Sequence, residues 1–355
     1  MSAYRDARLG KRKTVDEQRF EQQDIINLTD LMWDINNRNY KPSRGIAFVI
    51  RKPVIREIFA APFRDRVVHH LLFNYVAYWW DKRFIYDNYS CRRGKGNLFG
   101  IRRLYHHMMS ASDNNQKTTY VLKLDLQGYF MSLPKNKLYE AAVWGLDRQF
   151  DKSSFEYKAC KYLFKEIIYD DPTDGVRIRD KRNWNDLPKS KSLFYAPAGR
   201  GIVIGNLTSQ LLSNIYLDKL DRYVTYDLGL KRYGRYVDDF YVVHNDKTRL
   251  LRAAKEIDDF LASIGLKLHP KKKFLQEINK GVPFLGAVVY PFRIQPGKRL
   301  KAGFFRSAHK LYRESHAGRN SDFLAESFQS YNGLIEHMKN KKWRRKVEQY
   351  RNSRG

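Results

Sequence analysis

The sequence predicts an α+β protein, and three observations predict it. Tyr233-Gly-Arg-Tyr236-Val237-Asp238-Asp239-Phe240-Tyr241-Val242-Val243 places β-branched and aromatic residues on both sides of an Asp pair. That is the pattern of two short strands joined by a tight turn. Tyr120-Val-Leu-Lys-Leu-Asp125 reads as a strand ending in a carboxylate. Elsewhere apolar residues recur at helical spacing, as in Leu211, Leu212, Ile215, Leu217, Leu220 and Val224.

Length and composition narrow the class. A chain of 355 residues with 43% hydrophobic content can bury a substantial core. Its net charge of +29 works against compaction unless an anionic partner screens it. With 24 Tyr and 21 Phe besides, nucleic acid is the natural partner: phosphates attract Lys and Arg, and rings stack on bases. No apolar run approaches 18 residues and no signal peptide is visible, so no membrane role is expected. Cys91 and Cys160 are far apart, which disfavours zinc and disulfides and suits a reducing cytosol. The His69-His70 and His106-His107 pairs lack ligand spacing and read as helix-face residues.

The elements follow in order. Residues 1–20 form a polar, basic arm, and the dense apolar spacing over 21–40 predicts a buried helix. Residues 47–59 predict a β-hairpin turning near Lys52-Pro53 and presenting Arg51, Lys52 and Arg56. Asp65 stands where it can cap, or by its charge favour, the N-terminus of a helix through Val67–Ala77. Ser90-Cys-Arg92-Arg-Gly-Lys95-Gly96 is a basic, glycine-bearing loop suited to a phosphate backbone, and its helix runs to about Met109. Residues 135–170 predict two helices broken near 150. Residues 171–198, rich in Asp, Pro, Lys and Arg, read as an inserted loop or small hairpin, too long for a plain connector and so expected to be functional. Gly199 to Gln210 leads into a helix through Thr208 or Ser209, and another helix starts at Thr248. A hairpin is expected around Phe284-Leu285-Gly286. From Lys298 onward, 15 Lys and Arg stand against five Asp and Glu, the balance of a surface that lies along a duplex.

Adjacent carboxylates at a turn repel unless one is protonated or a divalent cation binds between them. Mg²⁺ suits them, because it takes few carboxylates and leaves room for phosphate oxygens. Asp125 with Asp238 and Asp239 could hold two such ions, the arrangement for phosphoryl transfer. The bland alternative for the Asp pair alone is an ordinary β-turn.

An ordered series of motifs resembles the reverse transcriptases over roughly residues 45–290. Tyr236-Val-Asp-Asp239 resembles their motif C, and Lys123-Leu-Asp125-Leu-Gln-Gly-Tyr-Phe130 their motif A. The region from Lys52-Pro53 through Arg56 to Asp65-Arg66 resembles the fingertip motif, and Ser90 to Gly96 the template-gripping motif after it. Gly265-Leu-Lys-Leu-His-Pro-Lys-Lys272 resembles motif D, and Phe284-Leu285-Gly286 the primer grip. The resemblance implies a right-hand polymerase with an antiparallel palm sheet and a short helical thumb. It divides the chain into an N-terminal arm and helix (1–44), fingers (45–119), palm (120–290) and basic thumb (291–355).

Roles follow by resemblance. Asp125, Asp238 and Asp239, with Leu126 beside them, are implied to hold two Mg²⁺ ions, for which Mn²⁺ can substitute. Arg51, Lys52 and Arg56 are implied to grip the dNTP triphosphate, with Leu126, Phe130, Ile204, Gly205 and Gln210 around the nucleotide. Phe130 stands where the family places its steric gate against a ribose 2′-OH. Lys272 is the implied acid for pyrophosphate, with Lys271 and Lys273 as neighbours that fit as well. Arg66, Arg92, Lys95, Tyr236, Phe284, Leu285 and Gly286 are implied to contact nucleic acid.

Motif B departs from the common Gln-Gly-x-x-x-Ser-Pro: here it is Ile204-Gly205-Asn-Leu-Thr-Ser209-Gln210. That variant resembles the diversity-generating retroelement reverse transcriptases, which copy a template RNA with errors at adenines. The resemblance implies a template RNA, an RNA–DNA duplex, dNTPs and a small basic accessory protein as partners, and a cytoplasmic, bacterial or phage-encoded setting. A retron or anti-phage-defence enzyme, and an inactive RNA-binding module on the same fold, are the alternatives.

Overall fold

The computed structural model describes residues 1–9, 14–51, 54–317, 322–338 and 345. Among these, the strands are β1 (Ile46–Ile50), β2 (Arg56–Ala60), β3 (Tyr120–Asp125), β4 (Arg177–Ile178) and β5 (Tyr233–Tyr236). After them come β6 (Asp239–His244), β7 (Phe274–Glu277), β8 (Val282–Phe284), β9 (Ala287–Tyr290) and β10 (Arg293–Pro296). Contacts divide the chain into two compact units.

The first unit comprises Met1–Ile85, Leu126–Arg222 and Ile257–Pro270. Its hairpin pairs β1 with β2 antiparallel, Ile46 opposite Ala60 and Ile50 opposite Arg56. The turn that Lys52 and Pro53 were expected to make lies outside the described residues. The two-residue β4 adds to the other edge of β1 in parallel. Helix Phe63–Arg83 buries Val68, Leu72, Val76 and Trp80, the i, i+4 stripe of a core helix. Asp65 lies in its first turn, where a negative charge favours a helix N-terminus, but it does not cap it. That carboxylate is buried and accepts from the Ser43 amide (2.8 Å) and the Tyr40 hydroxyl (3.0 Å). The helix start is capped instead from a distant segment, where Asp16 accepts from the Phe63 amide at 2.6 Å. The two helices expected over 135–170 are Lys135–Gln149 and Phe155–Tyr169, the second capped by Ser154. The helix expected over 21–40 forms at Asp24–Asn36, but it is not buried all round. Leu31 and Ile35 face inward while Ile25, Ile26, Met32 and Trp33 stay exposed.

The second unit comprises Tyr86–Asp125, Tyr223–Glu256 and Lys271–Gly355. Its central sheet has the order β5-β6-β3-β7, and every pairing is antiparallel. Phe240 to Val243 are all buried, so both faces of β6 are covered. Helix Asn97–Ala111 packs Ile101, Leu104 and Met108 into one cluster with Val121, Tyr241, Phe284 and Val289. A second sheet, β10-β9-β8, joins the same cluster. Helices Lys298–His316 and Asp322–Glu336 follow, and the Phe304 ring lies tilted against Phe328 with centres 5.2 Å apart. Among the described residues, no helix is long and apolar enough to cross a membrane.

Candidate active site

The acidic site is built by strand register. Pairing of β3 with β6 sets Asp125 opposite Asp239, and pairing of β5 with β6 sets Tyr236 opposite Asp239. Val237 and Asp238 are therefore the two residues of the turn. Val237 has φ 57°, a left-handed conformation that β-branched residues rarely adopt. It is held by Arg235, a fully buried guanidinium whose Nη1 donates to the Val237 carbonyl at 2.9 Å.

Two carboxylates directly opposite one another in a sheet repel. Two ammonium groups meet them here. Lys272 Nζ lies 2.8 Å from Asp125 Oδ1, and Lys123 Nζ lies 3.2 Å from Asp239 Oδ2. Lys123 also donates to the Pro283 carbonyl at 3.2 Å, so it joins the Asp turn to β8. The Asp239 carboxyl is raised to about 6: burial is the main cause, Lys123 works against it, and Asp125 and Asp238 add to it.

The underside of β6 is fixed by a polar network. The Tyr241 hydroxyl, two residues past Asp239, lies 2.8 Å from the Tyr89 hydroxyl and 3.2 Å from His107 Nδ1. Arg103 grips Asp87 with two bonds of 2.6 and 2.9 Å, and Tyr89 donates to the same carboxylate at 2.9 Å. Burial pushes Asp87 up, but the bonds from His107 and Arg103 outweigh it and hold the group well below the usual carboxylate range.

The expected nucleic-acid residues of this unit take different places. Arg92 donates to the Asn88 carbonyl at 3.2 Å, and Lys95 lies 4.2 Å over the Tyr86 ring, so both shape the loop that carries them. Phe284 is core: its ring meets Tyr241 edge-on at 5.1 Å. Leu285, with φ 47°, and Gly286, with φ 86°, form the turn after it. Tyr236 is half-buried beside the acidic turn.

In the first unit, Phe130 and Ile204 pack on one cluster, around buried Ala47, Phe59, Met131 and Leu193. Gly205 has φ 132°, and a Cβ there would lie 2.8 Å from the Phe59 carbonyl oxygen. Leu126 is buried, whereas Gln210 is exposed in the first turn of helix Leu207–Arg222. Arg56 is exposed on β2. Arg51 is exposed too and pairs with Asp186 at 2.7 Å. Arg66 is turned back, its Nε donating to the Ala61 carbonyl at 3.0 Å. Lys52 lies outside the described residues.

Residues 55–289 match the family model described as reverse transcriptase (RNA-dependent DNA polymerase). The chain belongs to the reverse transcriptase family. A putative COX1/OXI3 intron 2 protein of Saccharomyces cerevisiae is 22% identical over 325 residues, 80% of this chain and 37% of that protein. Among solved structures, telomerase from Candida tropicalis in complex with a TWJ fragment of telomeric RNA is similar at TM-score 0.50 and 12% identity. It covers 86% of this chain and 56% of that one. The Candida albicans telomerase in complex with the same kind of fragment gives TM-score 0.51 at 11% identity, over 83% and 54%. These likenesses are of fold, the right-hand polymerase fold. The chain spans about a third of the yeast protein and just over half of each telomerase.

Reverse transcriptases use divalent metal, and the residues here fit one. Asp239 Oδ1 is buried with no hydrogen-bond partner, an acceptor that a cation can satisfy. The donors are all carboxylate oxygens, which suit Mg²⁺. Among the described residues, no three acidic, His or Cys side chains are already gathered at ligand distance.

Sequence reasoning missed three contributors. Lys123 was visible in motif A but had no assigned role. Arg235 read as a strand residue. His107 read as a helix-face residue, yet it is buried and bonded to Tyr241. Its position beside Leu104 and Met108 on the buried stripe is the signal that could have found it.

Proposed function

We propose that this chain is an RNA-directed DNA polymerase that joins deoxynucleotides to a primer 3′ end. The observation that carries the reading is the register that sets Asp125 opposite Asp239 with Asp238 in the adjoining turn. The side chains of Asp125, Asp238 and Asp239, with the Leu126 carbonyl, are the groups to hold Mg²⁺. Bound there, the metal supplies charge for the attacking 3′-oxygen and the leaving phosphates. The primer 3′-hydroxyl gives up its proton to water as its oxygen bonds the α-phosphorus of the dNTP, the bond from that phosphorus to the bridging oxygen breaks, and pyrophosphate leaves. Lys272, already within reach of Asp125, can give a proton to that leaving group. Arg51 and Arg56 are exposed cations for the triphosphate. The Arg51–Asp186 pair is exposed and worth about 0–1 kcal/mol, so a triphosphate can displace it. Phe130 gates the ribose 2′-position, and Ile204 and Gly205 border the nascent pair. The exposed basic residues are the grip for an RNA–DNA duplex.

The subtype we favour is the diversity-generating one, with a template RNA and a small basic accessory protein as partners. Ile204 in place of the usual Gln supports it, since loss of a polar side chain beside the nascent pair relaxes base selection. Ile204→Gln then lowers misincorporation opposite template adenine; an unchanged error spectrum removes this support. A second reading, an intron-encoded polymerase, draws on the similarity to the yeast intron protein. Even errors at all four template bases would favour it. The polymerase reading itself is tested by primer extension on RNA with Mg²⁺, in wild type and in Asp238→Asn/Asp239→Asn.

A further inference from the structure

The insertion between motif A and motif B is not a surface appendage. Two of its features tie it to the elements around Phe130 and Ile204. Its strand β4 extends the fingers sheet, with Arg177 opposite Ile46 and Ile178 opposite Ala47. Its segment 189–195 is clamped to β2 by Glu57, a fully buried carboxylate. Glu57 accepts from the Ser192 hydroxyl and from the Leu193 amide, both at 2.6 Å. A buried carboxylate is costly unless such bonds satisfy it, so the clamp fixes the segment closely.

The clamp delivers Leu193 to a specific place. Leu193 is one of four buried members of the cluster on which Phe130 and Ile204 pack. The fit leaves no slack. A Cβ on Gly201 would lie 2.5 Å from Leu193 Cδ1, and one on Gly128 would lie 3.1 Å from the Ser190 carbonyl oxygen. Gly128 precedes Phe130 in motif A, and Gly201 precedes Ile204 in motif B. The two motifs are also stitched together by backbone, the Ile202 amide donating to the Phe130 carbonyl at 2.9 Å. Phe194 closes the outer side, 5.9 Å from Phe59 and 5.3 Å from Trp184.

We propose that the inserted segment is part of the nucleotide-selection apparatus. Leu193, locked by Glu57 and Ser192, is a positioning residue that sets the Phe130 ring and the Ile204 side chain. It touches no substrate. It decides how far those two side chains stand from the incoming sugar and base. The idea rests on the proposed reading of Phe130 as the ribose gate. Shortening Leu193 opens space behind the ring, which can then retreat and admit a 2′-OH.

The test is single-nucleotide incorporation on an RNA template, measuring kcat and KM for a dNTP and for the matching rNTP. Leu193→Ala is expected to cut discrimination about tenfold, the scale of a lost hydrophobic contact. The change falls in the KM for the rNTP, while kcat for the dNTP stays near wild type. Leu193→Met, which keeps the buried volume, restores discrimination. Ser192→Ala removes one donor to Glu57 without opening the cluster. It moves discrimination the same way by a smaller factor, and it serves if the alanine at 193 fails to fold. Phe130→Val is the control. If it abolishes discrimination while Leu193→Ala and Ser192→Ala lower dNTP and rNTP use in equal proportion, or change neither, the inference is overturned and the gate stands. If Phe130→Val leaves discrimination intact, the gate reading falls and takes this inference with it.

Discussion

Replacing Gly205 by alanine should cost more than a single methyl group suggests. Gly205 sits at φ 132°, where an L side chain is strained. Its new Cβ would meet the Phe59 carbonyl at 2.8 Å and Ile58 Cγ2 at 3.2 Å. The first is backbone of β2 and cannot swing aside. The same stretch is stitched to β2, because the Phe59 amide donates to the Ile204 carbonyl at 3.1 Å. Positive-φ strain contributes about 1–2 kcal/mol, and forced overpacking about 1–3 kcal/mol. Loss of glycine's freedom in the unfolded chain offsets about 0.4–1 kcal/mol. The net is a destabilisation of about 1–5 kcal/mol, which at its upper end is a large part of a typical domain's stability. Urea unfolding of Gly205→Ala beside wild type reads it as a lower midpoint at constant slope. If β2 shifts instead, the strain appears as a raised KM for dNTP. A variant with wild-type midpoint and wild-type KM would refute the close approach of motif B to β2.

Three other outcomes follow from the packing and the charge. His69 is buried, Nδ1 lies 2.9 Å from Thr208 Oγ1, and burial pushes its pKa from 6.5 down to about 3. The unfolded imidazole gains its proton as pH falls through 6.5 and the folded one does not, so stability present above that pH is lost toward 3. Wild type should lose about 2 kcal/mol more than His69→Gln between pH 7 and 5, and equal losses in denaturant titrations would contradict it. Arg235→Met keeps most of the buried bulk but leaves the Val237 carbonyl without its donor, which should lower unfolding free energy by about 2–3 kcal/mol and depress kcat. An unchanged melt and unchanged turnover would show that the turn holds itself. Affinity for an RNA–DNA duplex should fall steeply between 50 and 200 mM salt, by on the order of 10³ if six or more phosphates are contacted. A flat response in fluorescence anisotropy would argue against backbone recognition.

The readable parts of this chain were those with local causes. β-Branched and aromatic residues flanking the Asp pair located the hairpin, though its turn is Val237-Asp238 and Asp239 already belongs to β6; a strand running into a carboxylate located Asp125. The helix break near 150 also follows from local sequence. The parts that were hidden depend on distant partners. The cap of helix Phe63–Arg83 comes from Asp16, and no window around Asp65 contains it. Large apolar residues stand on the exposed face of helix Asp24–Asn36 (Ile25, Ile26, Met32, Trp33) as well as on the buried one (Leu31, Ile35), so apolar spacing alone could not say which side packs. Lys123 gains meaning only when Asp239 and Pro283 come to it from residues more than 100 positions away. The insertion was long enough to look purposeful, but Glu57 reaches it from 135 positions earlier in the chain.

The most direct test of the central claim is primer extension on an RNA template with Mg²⁺ and all four dNTPs. Wild type is run beside Asp238→Asn/Asp239→Asn, both checked to be folded, and with the native RNA and accessory protein where these are known. Extension by wild type that vanishes in the double variant is the predicted result. Equal extension by both proteins, or none by wild type under any of these conditions, would contradict the assignment of Asp125, Asp238 and Asp239 as a polymerase centre.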